Sequence, residues 1–247
     1  MKKAAIHIGT SGWHYKHWKG RFYPPATADS EQFNYFVHYF DTVEINNSFY
    51  KLPEKNTFVN WGKTSPPKFL FAVKASRFFT HMKKLNVDKQ SIRRFFRHAD
   101  GLGSKLGPVL FQLPPRWKIN TDRLNTFLTA LPKGYQYTFE FRDTTWYHEE
   151  VYSILRAHNV AFCIYELAHQ LSPMEVTADF VYVRLHGPGN KYQGDYKIAT
   201  LKKWATQCRE WMQEKKSVFV YFDNDQDAFA AFNALQLKKF VSSAKSS

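Results

Sequence analysis

Short apolar runs rich in Val, Ile, Phe and Tyr recur along the whole chain, and most are followed by a loop and an amphipathic helical pattern. Runs of this kind are typical of buried strands, and eight of them can be counted. Their starts lie roughly 20 to 40 residues apart, about the length that one strand-helix unit uses. The predicted strands span residues 4–9, 42–46, 69–74, 108–112, 137–142, 160–165, 180–186 and 217–223.

The segments between these runs have the period of helices. From Leu201 to Met212 apolar residues recur every three or four positions, which indicates one amphipathic helix of about four turns. Further helices are predicted near 30–40, 88–100, 121–131, 148–158 and 226–238, several of them led by the capping residues Asp88, Thr121 and Asp225.

Alternating strands and helices predict a parallel sheet covered by helices. Eight such units in 247 residues favour closure into a (β/α)₈ TIM barrel over an open sheet, so the expected fold class is α/β. No repeat or linker divides the chain. We therefore predict a single TIM-barrel domain over residues 1–241, followed by a polar, disordered tail over 242–247.

Composition narrows the class of protein further. Apolar residues make up 44% of the chain, enough for a buried core, and no stretch is apolar over the roughly 20 residues that span a bilayer. Cys163 and Cys208 have no metal-finger spacing and are predicted to be core thiols, which suits a cytoplasmic protein. The net charge of +14 favours encounters with phosphates, acidic surfaces or nucleic acid. A solvated basic face explains the charge equally well.

Polar residues collect at the carboxyl ends of the predicted strands. Alternate residues of a strand share a face, so the last inward position before each loop points into the barrel mouth. The residues that obey this parity are Glu44 and Asn46, Lys74, Gln112, Glu140 and Arg142, Arg184 and His186, and Asp223 followed by Asn224.

These charges have two interpretations. Glu140 with Arg142, or Glu44 with Arg184, would fill the barrel top as buried ion pairs. As a set, however, charged side chains on five of eight strands at one end are typical of a catalytic barrel.

The loop after the first strand is long and aromatic. Gly9 and Gly12 would let backbone approach a ligand closely, beside the polar Thr10 and Ser11. The loop also carries Trp13, Tyr15 and Trp18, which would form either a wall of the site or a plug in the barrel top.

Ordered motifs along the chain resemble a known family. They include Gly9 to Trp13 with 22–24, 44–50 with Pro53, 73–74 with 80–81, 106–108, 112–115, Glu140 with Arg142 and Trp146, 183–187 with Tyr192 and Tyr196, and 222–224. This pattern is similar to the YecE-like proteins, domain of unknown function 72. The resemblance implies a TIM barrel and no established activity, and it adds His81, Tyr192 and Tyr196 to the candidate ligand contacts. Asp223 stands where that family has Asn, which adds negative charge at the mouth.

Three functions stay open at this point. The first is an enzyme acting on a small polar or anionic substrate, phosphorylated, carboxylated or sugar-like, in which Glu140, Glu44, His186 and Asp223 carry acid/base chemistry and the arginines and Lys74 bind the ligand. The second is a nucleic-acid-binding barrel that uses basic and aromatic surface. The third is a structural or adaptor role.

No cofactor is required by the sequence. A divalent metal held by Glu44, Glu140, His186 and Asp223 is an alternative, although no compact metal motif supports it.

Overall fold

The strands occur where the apolar runs predict them. The computed structural model describes residues 4–243. Its strands are β1 (Ile6–Thr10), β2 (Thr42–Ile45), β3 (Leu70–Lys74), β4 (Leu106–Gln112), β5 (Tyr137–Glu140), β6 (Ala161–Leu167), β7 (Gln170–Leu171), β8 (Phe180–Leu185) and β9 (Ser217–Phe222).

The helices lie between the strands, as expected of an α/β fold. They are α1 (Gln32–Phe36), α2 (Asn47–Tyr50), α3 (Lys55–Thr64), α4 (Lys89–Ala99), α5 (Thr121–Ala130), α6 (Glu149–Ala157), α7 (Ile198–Gln213) and α8 (Phe229–Ser243). One π-helical turn covers Phe78–Met82. Asp88 caps α4 as predicted, since its carboxylate accepts the Ser91 N–H at 2.8 Å. The cap of α5 is Asn120 rather than the predicted Thr121.

The strand order confirms the predicted fold class. Along the sheet it is β1-β9-β8-β6-β5-β4-β3-β2, and β7 pairs only with β6, antiparallel to it. A parallel bridge between Ser11 and Glu44 links the residue after β1 to β2. Eight parallel strands in this cyclic order, each feeding a helical segment, define a fold of the TIM-barrel class.

The contacts of the chain fall into two compact units. The first comprises residues 4–44, 164–174 and 179–243 of the described chain, and the second comprises 45–163 and 175–178. Both boundaries after residues 44 and 163 fall inside strands, β2 and β6. The prediction of a single domain over 1–241 stays a prediction.

Each unit has its own buried sheet. In the first, Val220 of β9 is in register with Ile8 of β1 and Val183 of β8. In the second, Val109 of β4 is in register with Val73 and Tyr137. All six side chains are buried, and burying an aliphatic side chain such as Val or Ile stabilises the fold by about 1.5–3 kcal/mol.

Two details differ from the sequence prediction. The helix expected near 30–40 is reduced to α1, preceded by a 3₁₀ turn at Asp29–Glu31. At the other end α8 continues through Ser242 to Ser243, into the segment predicted to be a disordered tail, and both hydroxyls donate to carbonyls one turn back. Residues 244–247 of that predicted tail lie outside the described residues.

The cysteines agree with their prediction as core thiols. Both are buried and neither forms a disulfide. Burial raises the pKa of the Cys208 thiol to about 12, which keeps it protonated and unreactive. Within residues 4–243, no helix has the length and apolar character needed to cross a membrane.

Candidate functional site

The carboxyl ends of β1, β2, β8 and β9 bring five predicted site residues of the first unit together. Arg184 lies at the centre of this group, which we call the Arg184 cluster: Ser11, Glu44, Arg184, His186 and Asp223. Alternation along β8 explains the arrangement, since Tyr182, Arg184 and His186 point to the same face. Four of the five members are almost completely buried, and Asp223 is only slightly more accessible.

Glu44 is held by three donors. Arg184 Nη2 donates to its Oε1 at 2.8 Å, Ser11 Oγ donates to the same oxygen at 2.5 Å, and Tyr182 OH donates to Oε2 at 2.6 Å. Burial raises the pKa of Tyr182 well above its ordinary value, and the charge of Glu44 raises it further, so the hydroxyl remains a donor. A carboxylate offers about four acceptor positions, so Glu44 is largely committed to these contacts.

His186 and Asp223 form a hydrogen-bonded dyad. Asp223 Oδ2 lies 2.9 Å from His186 Nδ1 and also accepts from Arg184 Nη2 at 3.1 Å. Arg184 Nη1 approaches the other ring nitrogen, His186 Nε2, at 3.4 Å. A guanidinium can only donate, so Nε2 is the acceptor and the proton sits on Nδ1. The contacts therefore favour the tautomer of His186 that carries its proton on Nδ1 and presents Nε2 to Arg184.

Tyr15 approaches the cluster from the loop after β1. Its hydroxyl donates to the Ser11 carbonyl, and Gly12, at φ +90°, makes room for the ring. Burial raises the pKa of Tyr15 well above its ordinary value, and the charges of Asp223, Asp225 and Glu44 add to that rise. Tyr15 is thus a fixed neutral donor at neutral pH.

The remaining aromatic and polar residues of this loop mainly make packing contacts and hydrogen bonds within the protein. Trp18 is completely buried, and its indole N–H donates to the Asp225 carbonyl at 2.9 Å. Trp13 packs against Phe33 with the ring planes tilted and 5.0 Å between ring centroids, and Thr10 donates to the Gly12 carbonyl at 2.6 Å. These contacts fit the plug interpretation of Trp18 better than the wall interpretation.

A glycine-flanked loop, Gly187 to Gly194, covers the dyad. Tyr192 sets its ring edge-on to His186 at 5.4 Å and is 41% exposed. The loop is anchored at both ends, because the Gly187 N–H donates to Tyr196 OH at 3.1 Å and the Asn224 amide donates to the Gly194 carbonyl at 2.8 Å. Asn224 and Tyr196 hold the loop, and Tyr192 is its contact with His186.

A separate group of predicted residues meets in the second unit. Glu140 Oε1 accepts from Arg142 Nε and from Gln112 Nε2, the latter at 3.1 Å, while Cys163 Sγ lies 3.8 Å from Oε2. Glu140 is completely buried and the Arg142 side chain is 9% exposed. The pairs Glu140–Arg142 and Glu44–Arg184, which the sequence left open as ion pairs, therefore both form.

Three further predicted site residues of this unit are Lys74, Asn46 and His81. The Lys74 ammonium is 4.4 Å from the centre of the Phe49 ring, and His81 meets the same ring edge-on. Burial lowers the pKa of His81, and the charges of Lys74 and Arg77 lower it further. Asn46 Oδ1 finds no hydrogen-bond partner among the residues that the structure describes.

Sequence reasoning missed one member of the site. Tyr182 donates a hydrogen bond to Glu44, but it lies within an apolar run, where an aromatic residue is predicted to belong to the hydrophobic core. The alternation of side chains along a strand could have identified Tyr182, because it precedes Arg184 by two positions and must lie on the same face.

The acidic residues do not assemble into a metal centre in the described part of the chain, where no group of three or more His, Cys, Asp or Glu side chains is arranged to hold an ion. In the Arg184 cluster both carboxylates already bind the guanidinium.

A cavity of about 290 Å³ lies elsewhere in the first unit, beside the β6–β7 hairpin. It is lined by Glu166, His169, Leu171, Met174 and Trp204, among others. Burial raises the pKa of Glu166, against the opposing effects of a hydrogen bond from Trp204 and the charge of His169. A carboxyl whose pKa is raised in the folded state contributes its full stability below the unfolded pKa, and this contribution is lost as pH rises through the folded value.

We therefore expect Glu166→Gln to raise the melting temperature slightly at pH 7, by less than about 2 °C because solvent still reaches this group. The gain should vanish near pH 4, where the wild-type carboxyl is protonated. Melting curves at both values check this. A variant less stable than wild type at pH 7 would show that the carboxylate is stabilising.

The fold and the site define a class: a TIM-barrel protein with a polar, histidine-containing cluster at the carboxyl ends of its strands. Residues 7–247 match the family described as "Protein of unknown function DUF72". The chain belongs to this family, as its motifs predicted.

Three similar proteins are named after their families. The chain is 24% identical to the UPF0759 protein YunF of Bacillus subtilis (strain 168), over 96% of this chain and 94% of YunF. It is 24% identical to the UPF0759 protein YecE of Escherichia coli (strain K12), over 56% of this chain and 48% of YecE. The crystal structure of a DUF72 family protein from Thermotoga maritima superimposes with a TM-score of 0.87 at 30% identity, covering 96% of this chain and 99% of that one. None of these names states an activity.

Proposed function

We propose that this protein is an enzyme that moves a proton to or from a small polar substrate through His186. The observation that carries the proposal is the His186–Asp223 dyad, held at the carboxyl ends of β8 and β9. Asp223 favours the Nδ1–H tautomer, so Nε2 carries no proton and can take one from a substrate hydroxyl or carbon once the substrate displaces its contact with Arg184 Nη1. The imidazolium that forms is stabilised by the adjacent carboxylate.

Arg184 and Glu44 act as positioning residues in this proposal. Arg184 bridges Glu44 and Asp223, and so ties the dyad to a carboxylate that is itself fixed by Ser11 and Tyr182. Both carboxylates contact the same guanidinium, so little of its positive charge is left to attract an anion. Two carboxylates against one guanidinium leave a net charge of −1 while His186 is neutral.

This charge balance favours one member of the substrate class expected from the sequence. A phosphorylated or carboxylated ligand would meet a negative cluster, whereas a neutral, sugar-like ligand would not. We therefore infer a polyhydroxyl or carbonyl substrate. Since His186 is buried beneath Tyr192, substrate entry requires the loop from Gly187 to Gly194 to open, and its glycines at φ +104° and +89° suit such a hinge.

The proposal is tested by substrate depletion. Wild-type protein and His186→Gln are incubated separately with a mixture of small neutral metabolites rich in sugars and polyols, and the mixtures are compared by mass spectrometry. We expect at least one compound to be consumed by the wild type and not by His186→Gln.

His38→Gln, at an exposed position of the same unit, is the matched control and should behave as wild type. Equal consumption by His186→Gln and wild type would contradict the proposal.

A further inference from the structure

A dense basic surface lies in the second unit, on the chain between β3 and β4. The exposed cations of this segment, which we call the basic face, are Arg77, Lys83, Lys84, Lys89, Arg93, Arg94 and Arg97. Between residues 75 and 99 the sequence contains one acidic residue, Asp88. Its carboxylate is bound to the Ser91 N–H and hydroxyl at the start of α4. The basic face is therefore nearly free of internal neutralisation.

The basic face borders a small cavity. The cavity measures about 220 Å³, and the residues that line it include Arg94, Phe78, Ser76 and Ser91. The Lys83 ammonium lies 5.8 Å from the centre of the Phe78 ring. An aromatic ring, hydrogen-bonding groups and cations thus occur within one patch.

We propose that the basic face binds single-stranded nucleic acid, with one base inserted in the cavity beside Phe78 and the flanking phosphates on the cations. Proteins that bind single strands combine a cationic track for the backbone with aromatic rings on which bases stack. The cavity supplies an aromatic ring for stacking, Phe78, which a purely charged surface would lack.

The cavity also decides among polyanions. A duplex keeps its bases inside the stack, so no base can reach Phe78 unless the strands open. A lipid surface fits less well, because the apolar residues of α4 (Ile92, Phe95, Phe96 and Ala99) are buried in the unit and leave no apolar face for insertion. Met82 of the same segment is exposed, at 65%, but a single apolar side chain does not make a face for insertion into a membrane.

This inference is independent of the proposed enzyme. The basic face and its cavity share no residue with the Arg184 cluster and belong to the other unit. Loss of one function therefore leaves the other measurable.

The test uses fluorescence anisotropy with a labelled 12-nucleotide single strand of mixed sequence, at several salt concentrations between about 50 and 200 mM. For single strands, the slope of log K against log salt is about −0.7 for each phosphate neutralised. The triple variant Arg93→Gln/Arg94→Gln/Arg97→Gln should weaken binding at least tenfold and make the slope shallower by about 2.

The matched control removes three exposed charges from the first unit, Lys202→Gln/Lys203→Gln/Lys239→Gln, and should bind nearly as the wild type does. Phe78→Leu, which keeps an apolar side chain but removes the ring, should lose roughly 5- to 150-fold in affinity with an unchanged salt slope. Phe78→Ala repeats the test without the branched side chain, and circular dichroism checks that each variant is folded.

Three results would overturn the proposal. Equal weakening by the two triple variants would show that only net charge matters. Binding of a duplex of the same sequence, or of anionic phospholipid vesicles, as tight as that of the single strand would point to a different partner. Unchanged affinity in both folded Phe78 variants would show that no base binds in the cavity beside Phe78.

Discussion

Arg184→Met is expected to lower the free energy of unfolding by about 3–5 kcal/mol. Arg184 is 1% exposed and pairs at 2.8 Å with Glu44, which is completely buried. Removing the guanidinium leaves the Glu44 carboxylate with two hydroxyl donors and no cation, and breaking a buried pair in this way has a cost of that size. Denaturant melts at pH 7 measure it.

Two controls make this result specific. Arg156→Met removes a guanidinium that pairs with Glu149 on the surface, and it should change stability little. Adding Glu44→Gln to Arg184→Met removes the stranded charge and should recover part of the loss. If Arg184→Met is as stable as Arg156→Met, the pair is not structural and the positioning role assigned to Arg184 is wrong.

Asp223→Asn is expected to have the opposite pattern: a fold near wild-type stability and a turnover lower by about 10²–10⁴-fold. The amide no longer favours the Nδ1–H tautomer and no longer stabilises the imidazolium that forms during proton transfer. Asp223 is more accessible than Glu44, so its replacement leaves less charge stranded. The substrate found by depletion with the wild type provides the assay.

Asp227→Asn is the matched control, because Asp227 lies four residues further along and pairs with Arg21 at the surface. It should retain wild-type turnover. Full activity in Asp223→Asn would show that the dyad does not act in proton transfer, whereas unfolding of Asp223→Asn would assign it the same structural role as Glu44.

The fold could be predicted from sequence because burial imposes a simple pattern. Parallel strands covered by helices are apolar on both faces, so each strand of the barrel appears as a run such as 217–222. The two-residue strand β7 could not be found in this way, since Gln170 and Leu171 are exposed and form a strand only by pairing with β6. Residues 55–64 form α3, a helix that the sequence analysis did not predict, in which only Phe58 is completely buried.

The location of the site could be predicted, but its internal contacts could not. The alternation of side chains along the strands places Glu44, Arg184 and Asp223 on inward faces. It does not predict which carboxylate contacts which cation. The predicted strands also ended slightly late, since Arg142, His186 and Asp223 each follow the last residue of their strand. The backbone N–H groups of His186 and Asp223 still donate to the carbonyls of Glu166 and Leu185, so the apolar pattern of the strands runs slightly past their assigned ends.

The position of the basic surface could not be predicted from the sequence either. The net charge of +14 predicts an affinity for polyanions, but the sequence gives no position for it, since 35 cationic residues are spread along the chain. Only the structure joins Arg94 to Phe78 through a shared cavity. Phe78 begins the π-helical turn that lies between β3 and α4, and Arg94 lies within α4.

The central claim is that Asp223 holds His186 as a neutral imidazole with its proton on Nδ1. The most direct measurement is a long-range ¹H–¹⁵N correlation spectrum at pH 7 of protein labelled with ¹⁵N in histidine, with His186→Gln used to assign the signals. We predict a protonated Nδ1 and an unprotonated Nε2 for His186 in the wild type, and loss of that preference in Asp223→Asn. A proton on Nε2, or a doubly protonated ring at pH 7, would contradict the account.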